Sequence, residues 1–387
     1  MTPADRRARW AISAIFLANG LTLSAWISRV PTIVSELGMN TGSTGTVMMG
    51  MALGAFVSFP ITGRLIDTLG SARMTMIYGL VFFLALPLIA IMPNAVMLML
   101  ALMLFGFGNG GMDLAMNAQG IEIEARAGRS IINSLHGFFS LGGFLGAGIG
   151  AFMAWQSITP LPHFIVVTVI NVVLIAVLQR YLVPDLTSNK RDASTPIFTF
   201  PHRSLWMLGV IALCTAVGEG AMNSWSALYL NKHLQTSDDI AALGYATFSL
   251  AMLTGRFTGD WFVRHWGSGK LIRRSGSLAA IGLGIATLID QPWSMLTGFV
   301  FVGLGLSVIY PLVFSAAGNH PTLPRGQAVA GTATVGYTGF LAGPPILGWV
   351  AQATSMRSIM VIVMLLCATA AVLAPATEKF QKFTRTV

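Results

Sequence analysis

The sequence predicts an all-α polytopic membrane protein of twelve transmembrane helices, arranged as two six-helix halves. Three observations predict it: too few charges for a soluble surface, apolar segments of bilayer length separated by short loops, and a one-sided distribution of Lys and Arg. Of the 387 residues, 54% are hydrophobic and 10% are charged, against about 25% charged in an ordinary soluble domain. A soluble chain of this length needs far more polar surface to cover it, which excludes a two-domain soluble enzyme. A helix of about 22 residues crosses a bilayer, so twelve use roughly 264 residues and leave about ten for each loop or tail.

In chain order, charges, Pro or Gly bound the apolar segments of the first half at about 10–35, 45–67, 74–92, 95–121, 130–155 and 161–183. The first follows Arg6, Arg7 and Arg9 but stays apolar to about Val34 with no small-residue cleavage site, so it reads as an uncleaved span and not a signal peptide. The second half continues at about 205–231, 240–263, 271–289, 292–318, 326–353 and 356–376. Seven segments hold 20 of the 23 Lys and Arg: the N-terminus, 64–73, 122–130, 180–203, 256–274, 320–325 and the C-terminal tail. Lys232 and Arg357 fall in loops on the other side, and Arg29 lies within the first span. This is the positive-inside asymmetry, and it predicts that both termini are cytoplasmic. The formal charge of +9 is therefore a topology signal. No basic patch interleaved with aromatics points to nucleic acid. Cys214 and Cys367 lie inside apolar runs and imply neither a disulfide framework nor a metal site.

The longest polar connection, 184–204, divides the spans six and six. The expected organisation is an N-terminal half at 1–183, a cytoplasmic linker at 184–204 and a C-terminal half at 205–387. Three patterns recur across the linker in the same order. Gly63-Arg64 and Asp67 ahead of Gly70 and Arg73 return as Gly255-Arg256, Gly259-Asp260, Arg264 and Gly267. Asn19-Gly20 with Trp26 returns as Glu219-Gly220 with Trp225, and His136-Gly137 with Gly142, Gly143 and Gly146 as Ala330-Gly331 with Gly336, Gly339 and Gly343. Offsets of roughly 190–200 residues point to a duplicated six-span unit, the two-half organisation of major facilitator transporters.

Gly63-x-x-x-Asp67-x-x-Gly70-x-x-Arg73 resembles motif A of the major facilitator superfamily, with Thr68 where the family usually carries a basic residue. The resemblance covers essentially the whole chain and implies the major facilitator fold. Asp113-Leu114-Ala115-Met116-Asn117, His136-Gly137-Phe138-Phe139-Ser140-Leu141-Gly142, Glu219-Gly220 with Trp225, and Gly336-Tyr337 before Gly343-Pro344-Pro345 further resemble the YbjJ-type group of bacterial inner-membrane proteins. That resemblance implies location in the bacterial inner membrane.

Very few polar groups lie within the spans, and these are the candidates for function. Glu219 sits about 14 residues, or about 21 Å, into span seven. An ionised carboxylate is costly at that depth, so Glu219 is the expected principal proton-coupling site; a structural, protonated carboxyl is the other reading. Asp113 and His136 lie at similar depth in spans four and five, which the short loop makes antiparallel neighbours, and form an expected second proton-coupling pair. Asp113 otherwise locks helices together with Asn117 and Gln119. Arg29 is a candidate anion contact or outer gate, weighed against snorkelling to the interface. Asn19, Trp26, Asn117, Asn223, Trp225, Tyr310 and Tyr337 are the remaining substrate-binding candidates. Most lie in spans whose counterparts line the central cavity of the resembled fold, and amides beside aromatic faces suit a sugar-like ligand. For gating, the resemblance implies Gly63, Asp67, Gly70 and Arg73, with Arg256, Asp260 and Arg264 from the repeat. Gly63 is expected at a close helix approach, Asp67 at a facing helix N-terminus, and Arg73 in a pair with Glu122 or Glu124.

The Gly-rich runs at 137–150 and 331–348 lack the Lys-Ser/Thr of a phosphate loop and have the spacing of close-packed membrane helices. Gly343-Pro344-Pro345 is similar to the antiporter motif of drug exporters, but in span eleven instead of span five. No catalytic constellation, metal site or cofactor motif emerges, so an enzyme is not expected. The expected function is gradient-driven transport of a small polar solute by alternating access, coupled to protons, in a monomer whose partners are substrate, protons and lipid. The rivals are an efflux antiporter for drugs or metabolites and a non-transporting sensor of pH or ligand.

Overall fold

The computed structural model describes residues 2–127, 131–184, 202–321, 323 and 325–378. Local chemistry sets the helix starts. Thr2 accepts from the Asp5 N–H at 3.2 Å while Asp5 accepts from the Thr2 N–H at 3.0 Å, a capping box with Pro3 in the first turn of α1 (Pro3–Glu36). Asn40 accepts from the Ser43 N–H at 2.8 Å and opens α2 (Thr41–Leu69). Gly70, at φ +83°, turns the chain directly into α3 (Ser71–Ile89), a torsion that favours glycine. Then follow α4 (Ala95–Ala127), α5 (Ile132–Trp155), α6 (Pro160–Leu178), α7 (Trp206–Leu228) and α8 (Asp238–Trp266). Gly267, at φ +75°, repeats the turn of Gly70 and opens α9 (Ser268–Ile289). The remaining helices are α10 (Pro292–Leu306), α11 (Ile309–Gly318), α12 (Arg325–Ala353), α13 (Arg357–Leu373) and α14 (Pro375–Glu378).

Among the described residues, eleven segments are helical and long and apolar enough to cross a membrane, with α10 and α11 forming one of them (Pro292–Ala317). The remaining expected span coincides with α12, a helix of 29 residues. No strand occurs among the described residues. The fold is all-α, as predicted.

Contacts divide the chain into two units, Met1–Asp192 with Ser237–Ala246, and Ala193–Thr236 with Thr247–Val387. The expected linker at 184–204 lies mostly outside the described residues. In the first unit α1 packs on α5 and α6, α4 packs on α2 and α3, and α3 packs on α6. In the second unit α7 packs on α12 and α13, while α9 packs on α10 and α13. Gly303 of α10 lies against Phe248 and Ala251 of α8. Counted by crossings, each unit shows the same partner pattern, with its first crossing on its fifth and sixth and its fourth on its second and third.

Glycine permits the closest approaches, because lipid supplies no hydrophobic drive between helices and backbone proximity has to. A Cβ at Gly20 would lie 2.1 Å from the Phe139 carbonyl oxygen, and one at Gly142 would lie 2.1 Å from that of Leu17. Ser24 Oγ donates to the Gly143 carbonyl at 2.6 Å in the same crossing. Buried amides add hydrogen bonds between helices: Asn171 donates to Thr22 Oγ1 at 2.8 Å, and Gln119 to Ser71 Oγ at 2.7 Å. Gln119 also donates to the Val183 carbonyl, so it ties α4 to α3 and to the segment after α6. Large apolar side chains such as Val96, Leu288 and Val372 stay exposed on helix outer faces, as lipid contact requires.

Candidate functional site

Glu219 projects from α7 into the second unit, flanked by Gly218 and Gly220. Its Oε1 stands 3.7 Å from Arg256 Nη2 of α8, with 19% and 15% of the two side chains exposed. At that separation the contact is an ion pair, longer than a direct hydrogen bond. Arg256, expected among the gating residues, lies inside α8 and balances the acid. No sequence neighbour of Glu219 is basic, and the partner comes from a helix 37 positions away.

Tyr310 of α11 and Tyr337 of α12 complete the surroundings. Tyr310 lies close enough to interact electrostatically with both Glu219 and Tyr337. Its buried hydroxyl has no hydrogen-bond partner, and a Cβ at Gly336 would lie 2.5 Å from it, so glycine there admits the phenol. Tyr337 is 41% exposed. Asn223 lies one turn beyond Glu219 on the same helix face, and its Oδ1 is buried without a partner. Trp225, by contrast, is fully buried with its indole N–H unpaired. Trp26 in the first unit is nearly as buried. Both rings are buried, each within its own unit.

In the first unit Asn19 donates to Asn109 Oδ1 at 3.2 Å and lies 3.4 Å from the Met112 sulfur. Asn117 donates to Asp113 Oδ1 at 3.1 Å and to the Asp113 carbonyl at 2.8 Å, a local tie one helical turn long. His136 stands edge-on to Phe16 with ring centroids 5.5 Å apart. Helix α5 packs chiefly on α1 and only marginally on α4, which corrects the pairing of α4 with α5 expected from their short loop. Arg29 is 2% exposed. Its guanidinium donates to the Ile158 carbonyl and, through Nε, to His163 Nδ1 at 3.4 Å. It therefore does not snorkel, and its contacts anchor the turn between α5 and α6. Within the same unit Asp238 interacts electrostatically with Arg29 and accepts from Thr32 Oγ1.

The motif-A region divides in a similar way. Gly70 supplies a left-handed turn, but a Cβ at Gly63 would meet nothing within 4 Å, so no close approach depends on it. Arg73 is exposed. Glu122 pairs instead with Arg126 at 3.0 Å, four residues on, and Glu124 accepts from the Ile131 and Ile132 N–H groups at 2.6 and 3.1 Å. Glu124 thus caps the start of α5, where an acid is favoured. The side chains of Asp67, Asp260 and Arg264 lie outside the described residues.

Sequence reasoning missed two polar clusters. His163 is fully buried with Nε2 unpaired, and its only signal was a histidine opening an apolar span. Asp290, at φ +53°, accepts from Tyr229 Oη at 2.6 Å and stands 2.9 Å from His233 Nε2. The latter two residues are far from Asp290 in sequence and belong to a π-helical turn, Tyr229–His233.

Apolar crossings in two units of like packing, with a few charges paired inside, define a polytopic helical membrane protein. The family model described as Major Facilitator Superfamily matches residues 11–323 and 208–383. The uncharacterized transporter y4wD of Sinorhizobium fredii is 36% identical over 371 residues, 95% of this chain and 97% of that one. Two solved structures share the fold alone. A D-xylose–proton symporter matches at TM-score 0.72 and 16% identity over 95% of this chain and 97% of its own. The nucleoside transporter NupG matches at TM-score 0.70 and 12% identity over 97% and 99%. The chain belongs to the major facilitator superfamily, a family of transporters and not of enzymes.

Proposed function

We propose that the chain is a proton-coupled secondary transporter of a small, polar, sugar-like solute, working by alternating access in the bacterial inner membrane. The pairing of Glu219 with Arg256 beside Tyr310 and Tyr337 carries this reading. With Glu219 ionised, its charge is balanced by Arg256. A proton arriving on Glu219 Oε1 removes that balance and frees the guanidinium to contact solute or backbone, and loss of the proton restores the pair. The chemical change is a proton gained or lost at one carboxylate, linked to two arrangements of one cation. The unpartnered Tyr310 hydroxyl, the Asn223 amide and the exposed face of Tyr337 are suited to a hydroxylated solute. Structural neighbours that carry a sugar and a nucleoside support that substrate class. Asp113 and His136 are the proposed second proton site. Gly70 and Arg73, with Asp67, Asp260 and Arg264, are the proposed gating residues. On this reading both termini face the cytoplasm, which the one-sided basic loops support, and the protein acts as a monomer.

The test is solute flux in proteoliposomes under an imposed pH gradient. Wild type should accumulate solute with the gradient. Glu219→Gln should lose gradient-driven accumulation by more than about tenfold, since one proton-linked charge is removed, while keeping counterflow exchange. Accumulation that ignores both the gradient and the substitution would overturn the reading.

A further inference from the structure

On the outer face of the second unit, α9 and α13 run side by side in opposite directions, with Gly276 against Cys367 and Ala371, and Gly269 against Glu378. Small side chains leave a groove of about 410 Å³ between them, floored by Ser277, Ala280, Ala368 and Ala371. Ile281 and Val372 flank it, both exposed on the lipid face. From Arg273 to Ile281 the groove follows about 12 Å of helix, against roughly 15 Å for one leaflet of a 30 Å hydrocarbon core.

Arg273 stands at the mouth, beside Pro375. It is exposed and makes no ion pair among the described residues. Its neighbour Arg274 is held over the Trp266 ring at 4.2 Å, so the two guanidinium groups are committed differently. Lys270 is exposed one turn earlier. The nearby acid, Glu378, lies over Gly269 at the start of α9, where the helix dipole favours it. An apolar slot of leaflet length ending in a free cation is complementary to an acyl chain beneath a negative headgroup.

We propose that the groove between α9 and α13 binds one anionic phospholipid, its phosphate on Arg273 and one acyl chain along Ser277, Ala280, Ile281 and Ala368. The site is independent of the transport reading, because it lies on the lipid face and uses none of those residues.

The experiment is native mass spectrometry of the full chain in mild detergent. It is titrated with phosphatidylglycerol, with phosphatidylcholine of the same acyl chains, and with glycerol 3-phosphate. Wild type should retain one phosphatidylglycerol in preference to phosphatidylcholine and none of the soluble phosphate. Arg273→Gln should weaken phosphatidylglycerol binding about fivefold, the effect of one basic residue near a charged headgroup, whereas Arg273→Lys should keep most of it. Ala368→Leu, which fills the slot and leaves the charge, should also weaken it. Unchanged thermal unfolding of each variant shows that the fold is retained. Equal binding of both lipids, retention unaffected by Arg273→Gln and Ala368→Leu, glycerol 3-phosphate bound as well as the lipid, or a second copy of the chain covering the groove would each overturn the proposal.

Discussion

Glu219 and Arg256 offset each other's charge in a largely buried setting, so removing Arg256 leaves the Glu219 carboxylate without that compensation. Arg256→Gln is expected to destabilise the chain by about 1–3 kcal/mol, discounted for the residual exposure and the 3.7 Å separation. Glu219→Gln with Arg256→Gln should recover most of that loss, and a double-mutant cycle of thermal unfolding in detergent checks the coupling. Additive effects would deny it. Tyr310→Phe should leave stability within about 1 kcal/mol, because the hydroxyl it removes has no partner, yet should weaken solute binding measured by equilibrium dialysis. At Asp290, burial works to raise the carboxyl pKa. Hydrogen bonds from Tyr229 and His233 and the charges of His233 and Arg357 outweigh burial and hold it below the ordinary value. A depressed pKa gives stability that is present above the unfolded value and lost as pH falls through the folded one. Asp290→Asn should therefore unfold at lower temperature at neutral pH, with the difference vanishing below about pH 4. A difference that grows in acid would contradict the sign.

Helices in this chain meet where glycine removes the side chain, and the demand is uneven along the sequence. Gly142→Val should cost about 1–3 kcal/mol or more, since its Cβ would overlap a backbone oxygen of α1. Gly63→Ala should be neutral or stabilising, having open space and a better helix former. Gly70→Ala should cost about 1–2 kcal/mol for its left-handed torsion. Apparent melting temperatures of the three variants in one detergent rank the predictions. Helix existence, length and order were legible because each crossing is a long apolar run between charged or Gly/Pro boundaries. Partner choice was not, as α5 illustrates. A short loop suggested α4 as its chief neighbour, whereas packing sets α5 chiefly against α1 through Gly20 and Gly142. The polar groups that matter were legible as positions and much less so as contacts. Glu219 stood out by its isolation, but nothing in its surroundings named Arg256, and Asp290 carried no signal that set it apart. Long-range pairing depends on which faces meet, and apolar periodicity is silent when a helix is apolar all round.

At the scale of the molecule, the basic loops and the even count of crossings predict one side for both ends. A fluorescent-protein fusion at the C-terminus should glow and an alkaline phosphatase fusion there should be inactive. The opposite pair of results would invert the topology. Gly70 and Gly267, 197 residues apart, hold nearly the same torsions, φ +83° and +75°, at the same turn of each unit. Where the copies differ, the difference is telling. Asn19 occupies the first-copy place of Glu219 and makes a neutral amide bond, and Arg64 occupies that of Arg256 and is exposed. The first unit thus holds a neutral amide bond at that place, and the second holds an ion pair. An acid grafted at Asn19 would meet an amide where Glu219 meets a cation, leaving the first unit with a charge that its packing does not balance.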